Sequence, residues 1–362
     1  MSLDDLRRRL SEIDREIIAL VGRRQRLVEE IGQDKVQSGR PTRDFQRERA
    51  VLEAAREHAR AQGVDSRLAE DLLRTLIRSS LARQERHRVS AEGRGGGRSA
   101  LVIGGAGRMG RWFVDFFDSQ GFLTHVADRA AEAGEGVFQD WRQAGLDYDV
   151  VVVAAPLAVS AGILAELAEA RPRGLVFDVG SLKTPLRSGL RALAEAGCRV
   201  TSLHPMFGPD TELLSGRHII FVDVGAPAAT AEAMELFAAT MAERLEMSVD
   251  DHDRFIAYVL GLSHALNIAF FTALAESGEA APTLARLSST TFDAQLLIAG
   301  NVARENPRLY FEIQRLNEYG LGPLDALCEA AGRIRELVAE GNEEGFVDLM
   351  EAGRRYLAAR DG

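Results

Sequence analysis

Residues 100–128 read ALVIGGAGRMGRWFVDFFDSQGFLTHVAD, and this stretch decides the architecture of the middle of the chain. Ala100–Ile103 is a short apolar run that predicts a strand, and Gly105, Gly107 and Gly110 set a GxGxxG loop directly after it. In such a loop the first glycine permits a tight turn and the second lets a pyrophosphate approach the backbone. The third lets the following helix pack on the strand. Arg108 and Met109 lie in the same loop, and Trp112, Phe113, Phe116 and Phe117 give the helix an apolar face. A second strand, Leu123–Ala127, ends in Asp128, where a carboxylate meets ribose hydroxyls. GxGxxG alone is a weak signal. Between two strands, opening a helix and followed by an acid, it predicts a dinucleotide site, and Asp128 favours NAD by repelling a 2′-phosphate.

Outward from this loop the texture repeats. Asp149–Val153, Val176–Asp178, Arg199–Leu203 and Ile219–Val222 are further apolar runs with helical segments between them, which implies a parallel sheet wrapped by helices. Two of these strand ends carry polar clusters. Asp178-Val-Gly-Ser-Leu-Lys183 places Ser181 and Lys183 just past one, and Ser202-Leu-His-Pro-Met-Phe-Gly-Pro-Asp210 places His204 at the end of the next. Ligands of open α/β sheets sit at the carboxyl ends of strands. Histidine suits an enzyme that must take a hydroxyl proton as hydride leaves the same carbon. His264 falls in an apolar helix, Arg254–Ser277, and a lone histidine there is more often a satisfied core residue than a ligand. From about His252 the chain returns to helix.

The first 90 residues are helical almost throughout. Leu3, Leu6, Leu10, Ile13, Ile17, Leu20, Leu27 and Ile31 form one stripe that ends at Gly39 and Pro41. A helix that long needs partner helices, which points to a second subunit. Shorter helices are predicted near Arg43–Gln62 and Ser66–Arg88, and the Gly-rich Ser90–Ser99 reads as a linker. Polar side chains interrupt the inward faces: Arg7, Arg24 and Lys35 on the first helix, Asp44, Arg47 and Glu48 on the second, Ser80 and Gln84 on the third. A buried unpaired charge costs several kcal/mol, so these residues imply either a salt-bridge seam or a bound dianion.

Of 44 basic residues only Lys35 and Lys183 are lysine, which hints that a compact ammonium is required at both. Residues 1–98 carry 22 basic against 17 acidic side chains and the remainder 22 against 37, an acidic body that argues against nucleic acid as partner. Cys198 and Cys328 stand far apart, which argues against disulfides and a thiolate metal site, and no histidine–carboxylate spacing implies a metal. The charged N-terminus has no signal-peptide character, and no apolar run approaches bilayer length, so a cytoplasmic protein without membrane contact is expected.

These residues together resemble the bifunctional chorismate mutase–prephenate dehydrogenases, the T-proteins of tyrosine biosynthesis, over nearly the whole chain. The resemblance implies an all-α AroQ-type chorismate mutase domain (1–90), a linker (91–99), a Rossmann NAD-binding domain (100–250) and an all-α substrate-binding and dimerisation domain (251–362). It implies a homodimer with mutase sites shared between chains, in which Arg7 and Arg47 bind carboxylates and Lys35 and Gln84 contact the ether oxygen. Glu48 would meet a ring hydroxyl, with Arg24, Asp44 and Ser80 completing the set. In the dehydrogenase it implies that His204 accepts the hydroxyl hydrogen beside Ser181 and Lys183, and that His264 binds substrate. Where the family carries two substrate-binding arginines, this chain has Asp293 and Asn301. That departure motivates a second expectation, the same two steps on 4-amino-4-deoxychorismate and 4-amino-4-deoxyprephenate.

Overall fold

A computed structural model describes residues 2–132 and 134–359. The chain forms two compact units. One comprises the first three helices and a sheet, through Gly180 and again over Ser188–Met247; the other comprises Ser181–Arg187 and the chain from Ser248 onward.

In the first unit, α1 (Leu3–Gln37), α2 (Phe45–Ala61) and α3 (Ser66–Ala91) follow the predicted helices closely. Ser2 and Asp5 close a capping box on α1, and Asp44 and Asp65 cap α2 and α3. At 35 residues α1 is roughly 50 Å long. Its apolar stripe is largely uncovered in a single chain: Leu3 and Leu10 are 62% and 60% exposed, and only Val28 and Gly32 of the helix are buried.

The sheet contains β1 (Ser99–Ile103), β2 (Leu123–Ala127), β3 (Val137–Phe138), β4 (Val150–Val153), β5 (Leu175–Asp178), β6 (Val200–Pro205), β7 (His218–Val222) and β8 (Glu243–Met247). Their order is β3-β2-β1-β4-β5-β6-β7-β8. Strand pairing is parallel except between β6 and β7, where His204 faces Ile220 across an antiparallel pair, so the sheet is mixed rather than wholly parallel. The departure has a simple cause: residues 206–217 join β6 to β7 without the crossover helix a parallel pair requires. Helices α4 (Arg108–Ser119), α5 (Leu157–Ala170), α6 (Arg187–Glu195) and α7 (Pro227–Leu236) connect its strands, and the core is aromatic where α4 meets the sheet, with Phe113, Phe117, Phe177, Phe221 and Phe237 fully buried.

The glycine-rich connection between α3 and β1 is pinned to the sheet domain. Gly95 N–H donates to the Gln120 carbonyl at 3.0 Å and Gly97 N–H to that of Gly121 at 3.3 Å. A Cβ on Gly93 would lie 2.5 Å from the Gln120 oxygen, and one on Gly95 would lie 2.2 Å from the Gly121 carbonyl carbon. Both positions therefore exclude any side chain.

The second unit is helical. A continuous helix runs from Val249 to Glu276, with α8 (Val249–Ile256) and α9 (Ser263–Glu276) joined by a π-helical stretch, Ala257–Leu262. By length and composition this helix could cross a membrane, contrary to the expectation that no segment approaches that length. Ser263, His264 and Asn267 interrupt it as a string of letters yet leave its average hydropathy high. Helices α10 (Ala281–Arg286), α11 (Thr290–Arg304), α12 (Pro307–Leu316), α13 (Leu321–Glu340) and α14 (Glu343–Ala358) follow. Leu297, Phe311, Leu321, Val338 and Leu357 are all more than 60% exposed.

Candidate functional site

The three N-terminal helices enclose a cavity of ≈ 290 Å³. Seven of the eight polar residues singled out in them line it: Arg24, Lys35, Asp44, Arg47, Glu48, Ser80 and Gln84. Ser80 and Gln84 are buried, at 5% and 8% exposure. Arg24 Nη1 donates to the Leu76 carbonyl at 3.1 Å and to Ser80 Oγ. Lys35 Nζ donates to the Thr42 carbonyl at 2.6 Å and to Gln84 Oε1 at 3.3 Å. Gly32 makes the approach of α1 and α3 possible here, since a Cβ would stand 3.2 Å from Gln84 Cγ. Burial pulls the Lys35 ammonium below the usual lysine value; Arg88 acts in the same direction, and Asp44 and Glu48 oppose it. Burial likewise lowers Arg24. Among those seven residues, three cations, two carboxylates and two amide or hydroxyl groups line one small space, an excess of positive charge that suits an anion. Arg7 stands apart: it is on an exposed turn of α1, 3.5 Å from Asp4 and 69% exposed.

In the same unit, the glycine loop turns between β1 and α4. Gly104 adopts φ +86° with its Cβ position 2.7 Å from the backbone of Ala154, and a Cβ on Gly110 would lie 2.1 Å from the Gly104 carbonyl oxygen. Gly107 is the N-cap of α4 and supplies no side-chain cap, so the first-turn N–H groups are left for a phosphate. Asp128 accepts from the Ala106 N–H at 3.2 Å and the Ala130 N–H at 2.9 Å, holding its carboxylate against the loop. Arg108 pairs with Asp210 at 2.7 Å, while Met109 packs on the sheet core. The residues present fit a dinucleotide. His204 is buried near the end of β6, two residues past Ser202, whose Oγ donates to Asp178 Oδ1 at 2.5 Å. Asp178 also accepts from Gly180 N–H at 2.8 Å, so this strand end is rigid.

The second unit holds Ser181, Lys183, His264, Asp293 and Asn301. Lys183 is fully buried, and its segment is fastened by Asp253, a residue the sequence did not single out. Asp253 accepts from Lys183 N–H at 2.9 Å, Thr184 N–H and Oγ1 at 2.5 Å each, and His252 Nδ1 at 2.7 Å. Burial pushes its carboxyl up, but the hydrogen bonds from His252, Thr184 and Lys183 outweigh burial and hold it below the usual range. Its stabilising effect is therefore present above the ordinary carboxylate pKa and lost as pH falls through the lowered value. Asp253→Ala strands several buried donors and lowers the stability of this unit by about 3 kcal/mol, measurable by denaturant titration.

His264 follows the π-helical stretch, whose Gly261 carbonyl accepts from Gln314 Nε2 at 2.8 Å. The His264 ring packs on Tyr310 with centroids 4.1 Å apart. Its buried Nδ1 has no hydrogen-bond partner, and burial lowers its pKa, so the ring is not a hydrogen-bonded core histidine. Asp293 accepts from Ser288 Oγ, and Asn301 Oδ1 accepts from Arg304 Nη2 at 2.6 Å.

Three family models match the chain: chorismate mutase type II over residues 6–85, prephenate dehydrogenase nucleotide-binding domain over 124–243, and prephenate dehydrogenase dimerization domain over 248–352. The chain is 28% identical over 355 residues to a T-protein of Enterobacter agglomerans, covering 95% of this chain and 90% of that protein. It is 31% identical over 269 residues to a 4-amino-4-deoxyprephenate dehydrogenase of Streptomyces pristinaespiralis, covering 71% of this chain and 90% of that one. In fold it is similar to the prephenate dehydrogenase of A. aeolicus, solved with hydroxyphenyl propionate and NAD+. That likeness has a TM-score of 0.55 at 18% identity and covers 72% of this chain and 98% of that structure.

Proposed function

Because the chain belongs to the chorismate mutase–prephenate dehydrogenase family, the T-proteins, we propose that it converts chorismate to prephenate and then oxidises prephenate, with loss of CO2, to 4-hydroxyphenylpyruvate. The observation that carries this reading is the convergence of Arg24, Lys35, Glu48, Ser80 and Gln84 on one small cavity, in a chain that also bears the nucleotide loop and His204. The rearrangement is pericyclic and needs no acid, base or covalent step. The helices hold the folded diaxial substrate, and Lys35 with Gln84 meets the negative charge that grows on the ether oxygen. Arg47 takes a carboxylate. Arg7 does the same for the site of a second copy, whose helices cover the exposed stripe of α1. We infer a homodimer working on small molecules, a reading supported by the uncovered apolar stripe of α1.

For the second step Gly105, Gly107, Gly110 and Asp128 would hold NAD, which would supply the hydride acceptor. His204 takes the hydroxyl hydrogen as hydride leaves C4 of the ring. The resulting dienone is vinylogous to a β-keto acid and loses CO2 as the ring becomes aromatic. Ser181, Lys183 and His264 serve substrate binding and orientation.

Asp293, Asn301 and the Streptomyces pristinaespiralis relative favour a second reading, in which the ring carries an amine at C4. The test is NADH production with prephenate and 4-amino-4-deoxyprephenate supplied in parallel. A higher kcat/KM for prephenate is expected, with Arg304, already on Asn301, meeting the substrate carboxylate. A clear preference for the amino compound replaces the first reading with the second.

A further inference from the structure

Glu48 faces the mutase cavity, but the group that holds it does not line that cavity. Arg43 Nε donates to Glu48 Oε1 at 2.9 Å and Arg43 Nη2 to Glu48 Oε2 at 3.0 Å, a two-pronged contact that fixes the plane of the carboxylate. The third nitrogen, Nη1, donates to Ser215 Oγ at 2.7 Å. Ser215 belongs to the turn between β6 and β7, 172 residues away in sequence. The guanidinium also lies over the Phe45 ring, 4.4 Å from its centroid.

The neighbouring residues are tied down in the same way. The Thr42 carbonyl receives Lys35 Nζ, Thr42 Oγ1 receives Arg88 Nη1 at 3.0 Å, and Asp44 caps α2 through the Arg47 N–H at 2.9 Å. The turn bearing Ser215 is anchored to the mutase helices a second time. Glu85, adjacent to Gln84 on α3 and only 3% exposed, accepts the Leu214 N–H at 2.8 Å and the Met241 N–H at 2.5 Å.

We propose that Arg43 is a positioning residue for the mutase reaction, aiming the Glu48 carboxylate into the cavity, and that Ser215 of the nucleotide-binding part holds Arg43 in place. The inference rests on the mutase reading above. On this account the sheet domain is a structural component of the mutase site. Lysine at position 43 keeps the charge but cannot make the fork, so the contact is specific to arginine.

The experiment is a double-mutant cycle on the full-length enzyme, with chorismate consumption and NADH formation from prephenate measured separately. Arg43→Lys should lower mutase kcat/KM by about tenfold in the wild-type background and change it little in Glu48→Ala, because two residues acting through one contact are non-additive. Ser215→Ala should lower mutase kcat/KM by about threefold, as expected for loss of a single hydrogen bond, and leave NADH formation unchanged. An equal loss from Arg43→Lys in both backgrounds, or no loss from either Arg43→Lys or Ser215→Ala, overturns the proposal. A wild-type enzyme that does not consume chorismate overturns the mutase reading itself, and that result is visible before any variant is made.

Discussion

His204→Asn abolishes NADH formation from prephenate, with kcat/KM falling by roughly 10²–10⁴-fold, the usual worth of a positioned general base. Chorismate consumption stays at the wild-type rate. Asparagine is smaller than histidine but keeps a hydrogen-bonding end, and it cannot take up a proton. His204 is buried in β6, and its antiparallel pairing with Ile220 fixes the backbone under it whichever side chain stands there. The strand end is held besides by the Ser202–Asp178 hydrogen bond, which the substitution does not touch. Following the two activities by absorbance in one preparation separates the outcomes. Parallel loss of both in a protein that keeps its native circular dichroism would falsify the assignment of two independent sites.

Lys35→Ala produces the mirror result. Chorismate kcat/KM falls by about a thousandfold, the upper range for deleting one preorganised donor to a developing oxyanion. NADH formation from supplied prephenate is unchanged. The reasoning is electrostatic: Lys35 is half-buried among α1, the Thr42 carbonyl and Gln84, where a charge is less screened than in water. The wild-type pH profile provides a second check with a defined sign. Burial has lowered the Lys35 pKa, and the mutase needs the charged form, so activity falls on the alkaline side earlier than an exposed lysine would give. Retention of mutase activity in Lys35→Ala would remove the ammonium from the mechanism.

Both sites left their marks in the sequence for different reasons. The leucine and isoleucine spacing of α1 is a local property, so its helix was legible, and cations placed on an apolar face are conspicuous because folding disfavours them. The runs 150–153 and 175–178 were legible because strands covered on both faces are almost wholly apolar. β8, Glu-Arg-Leu-Glu-Met, was not legible: it is an edge strand, mostly open to solvent, and carries charges that blunt an edge. β3 is two residues long, too short for any periodicity. The reversal at β7 follows from the short, helix-free connection 206–217, whose length and Pro and Gly content are a signal against parallel pairing that the apolar runs alone do not carry. Arg43, Glu85 and Asp253 escaped notice for a common reason. Each is an ordinary charged residue that also needs a partner 69 to 172 positions away. His264 was legible only through the family resemblance, since its unpartnered ring nitrogen is a property of three-dimensional packing.

The glycines at 93 and 95 bear on how such a gene can be cut and rejoined. A methyl group on Gly93 would be driven into the Gln120–Gly121 peptide and one on Gly95 into the Gly121–Phe122 peptide, so the seam tolerates neither a spacer of arbitrary composition nor a random crossover point. Exchange of the helical segment with that of another T-protein succeeds only if Glu92–Arg98 and the turn at Gln120–Gly121 travel together as a matched pair. Recombination at this locus is in effect the swapping of interlocking pieces, and chimeras joined between those two segments inherit a misfit at the weld.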